Sequence, residues 1–173
     1  VAVAPVVLED IMIITKNGYG LRFNIEEVPV VGAKAAGVKA INLKDGDHVA
    51  AAFKATTPSM YILTQRGSLK RMLQDDIPVT SRAKRGLQVL RELKNKPHRV
   101  FKAGPVFTDQ GDFDLFTSQE EVAEQDQILQ ITSTTGQVTE VDLTQLSISE
   151  RTSNGSFVND SISDQEVFSA TIK

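Results

Sequence analysis

Cysteine and tryptophan are both absent from this 173-residue chain. The lack of cysteine excludes disulfides and thiolate metal sites, and it fits an intracellular protein. Aromatic residues make up only 6% of the sequence, so Ile, Val and Leu must supply most of the packing. No apolar run approaches the roughly 20 residues that a membrane-spanning helix requires. The opening VAVAPVVLED lacks the basic region of a secretory leader and reads as the end of a linker. Catalytic signatures are equally scarce, with no P-loop and no nucleophile constellation. The G-x-G at Gly18-Tyr19-Gly20 falls in a hairpin rather than ahead of a helix, so it is not a dinucleotide fingerprint. Lys44-Asp45-Gly46-Asp47 has ordinary turn chemistry without the further acidic ligands of a calcium loop. His48 and His98 stand 30 and 31 residues after Gly18 and Gly67. That recurrence suggests a role in a repeated fold rather than in catalysis or metal binding.

What the sequence does contain is a repeat. Gly18 and Gly37 are 19 residues apart, as are Gly67 and Gly86, and Gly136 and Gly155. The flanking sequence repeats with them, as IMIITKNGYGLRFNIEEVPV, MYILTQRGSLKRMLQDDIPV and ILQITSTTGQVTEVDLTQLS. Each copy has an apolar run ending in Thr15, Thr64 or Ser133, then a glycine, then an aliphatic residue at Val28, Ile77 or Leu146. A unit of roughly 40 to 50 residues copied three times points to a propeller or an array.

The runs before each first glycine are too short for helices and rich in Ile, Leu and Thr, so 11–15, 61–64 and 128–132 read as strands. Lys16-Asn17-Gly18 is a hairpin signal, and the corresponding positions in the other copies turn mainly on their glycine. A second strand ends near Phe23, Met72 and Val141. Residues 37–43 alternate as a third strand, and 49–53, 99–102 and 167–172 read as fourth strands. Four short strands per repeat is the content of a propeller blade, so the expectation is an all-β, propeller-like array of four-stranded blades. The repeats are placed at 8–56, 57–104 and 127–173. The acidic, turn-rich segment 105–126 reads as an insertion in preference to a decayed blade, with a short helix near 118–125. Three blades are fewer than the usual 4 to 8 or so of a closed propeller, leaving a fragment, an open arc and a ring completed by further strands as alternatives.

Charge divides the chain. Residues 1–104 hold 17 Lys and Arg against 9 Asp and Glu, whereas residues 105–173 hold 2 against 13, and the whole chain nets −3. The basic charge is densest in the second repeat, an asymmetry that points to a polyanion.

Taken in order, T-K-N-G-Y-G-L-R-F, E-E-V-P-V, the glycine opening V-K-A-I-N-L, and D-G-D-H-V resemble the repeats of the C-terminal domain of bacterial type IIA topoisomerase A subunits. That family builds β-pinwheels, propeller-like rings whose blades exchange strands and whose rim binds DNA. Its gyrase members carry a Q-R-R-G-G-K-G box before the second glycine. Here the loops read VGAKAAG, TSRAKRG and SERTSNG, and only the last glycine matches in all three. So decayed a box is similar to the topoisomerase IV branch rather than the gyrase branch, and it weighs against chiral wrapping.

The resemblance implies a non-catalytic domain without a cofactor. It would position or bend duplex DNA for ATP-dependent strand passage, serving relaxation, decatenation and chromosome segregation. The implied partners are double-stranded DNA, the remainder of the A chain of the enzyme, plus its ATPase B chain, two copies of each. The implied setting is the bacterial cytoplasm and nucleoid, with peripheral membrane association of the parent enzyme possible. Arg22, Lys34, Lys39, Arg71, Arg82, Lys84 and Arg85 are the expected phosphate contacts, because they fall in or beside the box loops or share a column of the second strand. Two other readings stay open: a protein-interaction propeller with an acidic docking segment, and a gyrase-type wrapping domain.

Overall fold

A computed structural model of the chain describes residues 9–107, 127–158 and 166–173. Each repeat begins with a hairpin, formed by β1 (Asp10–Thr15) and β2 (Tyr19–Asn24), then β4 (Ser59–Thr64) and β5 (Ser68–Leu73), then β8 (Ile128–Ser133) and β9 (Val138–Asp142). The hydroxyl residue at the end of each first strand explains its recurrence. Thr15 Oγ1 accepts from Tyr19 N at 3.1 Å, Thr64 Oγ1 from Ser68 N at 3.2 Å, and Ser133 Oγ from Gln137 N at 3.1 Å. The same hydroxyl therefore closes all three turns, as short polar side chains do when they satisfy local amides.

Each second strand runs into a single-turn 3-10 helix, at Ile25–Glu27, Gln74–Asp76 and Leu143–Gln145. Asn24 and Asp142 cap the first and third by accepting from Glu26 N and Thr144 N. The outer strands β3 (Val49–Lys54), β7 (Val100–Val106) and β11 (Val167–Ile172) pair antiparallel with the first strands, each with a register shift at the turn end. β7 runs to Val106, two residues beyond the repeat boundary placed at 104. The short helix expected near 118–125 lies outside the described residues, as does most of the insertion.

The fourth place in each sheet is filled by exchange. β6 (Leu87–Gln88), from the second repeat, pairs with β2 of the first, and β10 (Ser156–Phe157), from the third, pairs with β5 of the second. Two sheets are thus four-stranded, ordered β3-β1-β2-β6 and β10-β5-β4-β7, while the third is ordered β11-β8-β9. The expected third strand at 37–43 does not form. By the same rule it would complete an earlier blade, and none stands beside it among the described residues. Its backbone instead meets the second box loop, Ala83 N donating to Ala40 O at 2.7 Å and Asn42 N to Lys84 O at 2.9 Å. Ile41 packs back on Ile13, Leu21 and Phe23.

Strand alternation sends each blade's side chains to two neighbours. Met12 and Ile14 of the first blade meet Met60, Ile62 and Met72 of the second, with Ile77, Val89 and Leu90 between them. The opposite face of the second blade, Tyr61, Leu63 and Leu69, meets Leu129, Ile131 and Leu143 of the third. β4 is consequently buried at all six positions. At about 1.5–3 kcal/mol for each large aliphatic side chain fully buried, these two inter-blade layers dominate the stability of the array.

Candidate nucleic-acid interface

In the second and third repeats, the second glycine of the pair marks the point where the chain crosses to the preceding blade. Gly86 and Gly155 have φ of +87° and +75°, and a Cβ on either would strike the carbonyl of Gly20 or Leu69 on the preceding blade's second strand. The bare backbone at these two positions thus serves a close approach between blades.

Around the first crossing, the structure brings four of the expected basic residues, Lys39, Arg82, Lys84 and Arg85, onto adjoining segments. Arg82 Nε donates to Glu27 O at 2.9 Å and its Nη1 to Lys39 O at 2.7 Å, while its amide donates to Glu27 Oε2. It ties the first 3-10 helix and the 39–42 segment to the second box loop. Lys39 Nζ reaches Asn42 Oδ1 at 2.8 Å and Lys84 Nζ reaches Thr80 Oγ1 at 3.0 Å, and both lysines stay exposed. Arg85 is exposed next to Lys84, and Lys34 is exposed in the turn closed by Ala35 N donating to Gly32 O.

Arg22 and Arg71, which share a column on the second strand, are placed differently. Arg22 pairs with Asp10 of its own blade at 3.0 Å and with Asp75 of the next blade's 3-10 helix at 2.7 Å. Arg71 Nε donates to Ser59 Oγ at 2.9 Å and its Nη1 to Thr144 O of the next 3-10 helix at 2.8 Å. Both guanidinium groups therefore point along the array from one blade to the next. In the third blade the column holds Glu140, paired with Lys173. Hydrogen bonds from Lys173, and then from Gln130, hold the Glu140 carboxyl below the usual carboxylate range.

The third box loop offers little to an anion. Its one basic residue, Arg151, donates Nη1 to Gln88 O at 2.5 Å, and Glu150 precedes it. Lys70 belongs by sequence to the basic cluster of the second repeat, yet only 2% of it is exposed. His98 is buried at hydrogen-bonding distance from Thr64 Oγ1, whereas His48 is exposed. Among the described residues, no three His, Asp or Glu side chains are grouped so as to hold a metal ion.

The model of the DNA gyrase C-terminal domain, a β-propeller family, matches residues 9–56 and 59–106. The A chain of DNA topoisomerase 4 from Streptococcus pyogenes (serotype M3) is 59% identical over 98% of this chain, which spans 21% of that protein. Its Streptococcus pneumoniae (serotype 4) counterpart is 58% identical over the whole chain, again across 21% of its length. Among solved structures, the C-terminal domain of DNA topoisomerase IV superposes with a TM-score of 0.75 at 32% identity, covering 95% of this chain and 46% of that one. The C-terminal domain of DNA gyrase A shares the fold, with a TM-score of 0.71 at 18% identity over 96% of this chain and 51% of that one.

Proposed function

The chain belongs to the family of DNA gyrase C-terminal β-propeller domains, and on that footing we propose that it holds duplex DNA as the non-catalytic C-terminal domain of a topoisomerase IV A subunit. It spans about a fifth of the relatives it matches, at 21% of their length. Strand passage, ATP use and assembly with a B subunit are accordingly proposed for the parent enzyme. One observation carries the reading. The strand exchange that joins the first two blades sets Lys39, Lys84 and Arg85 on adjoining exposed loops, with Arg82 bracing the backbone beneath them.

Phosphate contacts of this kind position a duplex without reading its sequence. If roughly four phosphates are neutralised, counterion release gives log K a slope near −3.6 against log salt. Such a site is weak alone. It gains force when tethered to a core that also grips DNA, because the second contact becomes intramolecular. The degenerate box loops favour capture and orientation of a bent or crossing duplex over wrapping. Repulsion from the acidic third repeat confines the path to the first two blades.

Charge reversal tests the reading. Lys39→Glu, Lys84→Glu and Arg85→Glu together are expected to weaken duplex binding at least about tenfold at low salt, since three phosphate contacts are replaced by repulsion. Unchanged affinity would sink the proposal and favour docking of a protein partner on the acidic half. Equal protection of duplex by all three blades in a footprint would contradict the confinement.

A further inference from the structure

Three cations on the second strands look inward. Arg22 spans from Asp10 to Asp75. Arg71 spans from Ser59 to the carbonyls of Thr144 and Leu146, the first at 2.8 Å. Lys70, the neighbour of Arg71, points to the opposite face of the same strand, as alternation requires. Its Nζ donates to Val89 O at 2.5 Å, Arg151 O at 2.6 Å and Ser153 O at 2.8 Å. Val89 follows the strand that crosses to the first blade, and Arg151 and Ser153 precede the strand that crosses from the third. In its protonated form this amine uses all three donors to bind both crossings at once.

The backbone reinforces the arginine contacts. Thr80 N donates to Arg22 O and Ser149 N to Arg71 O, each at 2.8 Å, so the strand that carries each arginine also receives the segment after the next 3-10 helix. A guanidinium bonded to a strand at one end and to the next blade's helix at the other resists rotation about the line between blades. A hydrophobic layer alone resists it poorly, because apolar contact is non-directional.

From this geometry we infer that Arg22, Arg71 and Lys70 are positioning residues, fixing the angle between successive blades and through it the curvature of the DNA path, without touching phosphate. The curvature part of the inference rests on the DNA-holding reading above; the angle part does not. It also accounts for the third blade. There Glu140 replaces the arginine and pairs with Lys173 of its own sheet, so the described pins run only from the first blade to the second and from the second to the third.

The absence of cysteine makes the test direct. Spin labels on Asn95→Cys and Thr134→Cys report the separation of the second and third blades, read with and without Arg71→Met in the unliganded protein. The inference expects a distance distribution at least about twice as broad in the variant, because directional contacts are lost while the apolar layer remains. Arg71→Lys, which keeps the charge but lacks the planar fork, is expected to broaden it as well. Salt titrations of duplex binding form the second arm. The slope for Arg71→Met should stay within about 0.3 of the original, whereas loss of a phosphate contact would reduce its magnitude by about 0.9. An unchanged label distribution, or a slope reduced by that amount, would overturn the inference. If the unaltered protein bound no DNA, the proposed function would fall, and the label distances would still decide the role of Arg71.

Discussion

Gly37 and Gly86 share the same left-handed backbone, at φ +87° in both, but not the same neighbourhood. Nothing lies within 4 Å of a Cβ built on Gly37, whereas one on Gly86 would collide with the backbone of Gly20. Gly37→Ala should therefore cost only about 1–2 kcal/mol for the left-handed conformation. Gly86→Ala should cost clearly more, since the β2–β6 pairing must open as well. Urea denaturation of the two variants checks this, and equal losses would contradict the close-approach account.

Lys70 makes a second prediction at this scale. Burial, then the Arg151 charge, draws its pKa down from 10.5 to about 7, against a smaller opposing pull from Asp76. Below pH 7 the folded and unfolded chains both carry the proton, and the cost of the buried ammonium is constant. Between pH 7 and 10.5 the unfolded chain binds more protons, so stability gains up to about 1.4 kcal/mol per pH unit from this group. Lys70→Met should remove that gain, seen as a flatter difference in unfolding free energy across the window. An identical pH profile in both proteins would refute it. The turn residues and their spacing were legible in sequence; the direction of Lys70, Arg22 and Arg71 was not. A cation looks alike in sequence whether it faces solvent or a neighbouring blade, and only the strand's alternation within a stacked array decides between them.

At the scale of elements, the hairpins could be read because their information is local: an apolar run, a hydroxyl and a glycine within a few residues. The exchanged strands could not. β6 and β10 are two residues long, and each owes its pairing to a partner in another repeat. Residues 37–43 carry the same alternating pattern and form no strand, which shows that the pattern is permissive and the partner decisive. The 3-10 helices were missed for the related reason that one turn leaves no periodicity to detect. These helices are what the arginine column grips, and the two grips differ in burial. Arg71→Met leaves inter-blade carbonyls without their donor and should cost about 1–3 kcal/mol. The inter-blade pair of Arg22 has an Asp75 partner that is 89% exposed, so Asp75→Asn, which leaves the pair with Asp10 intact, should cost about 1 kcal/mol or less. Thermal unfolding of Arg71→Met and Asp75→Asn checks the ranking, and a larger loss for Asp75→Asn would contradict it.

Across the whole molecule, charge is divided by repeat: the first is balanced, the second strongly basic and the third acidic. The all-β repeat architecture, the family and the basic character of the second repeat were all legible, since they depend on spacing and composition. Less of the interface was. Of the seven expected phosphate contacts, Lys34, Lys39, Lys84 and Arg85 lie exposed, Arg82 braces the loop beside them, and Arg22 and Arg71 join blades. The account therefore rests on a small exposed basic surface held by buried and half-buried cations. The most direct test of it is the affinity of this chain for a duplex of about 40 base pairs, measured across a series of salt concentrations. The account predicts binding whose log K falls with log salt at a slope near −3.6, consistent with about four phosphate contacts. Absence of binding even at low salt, or binding indifferent to salt, would contradict it.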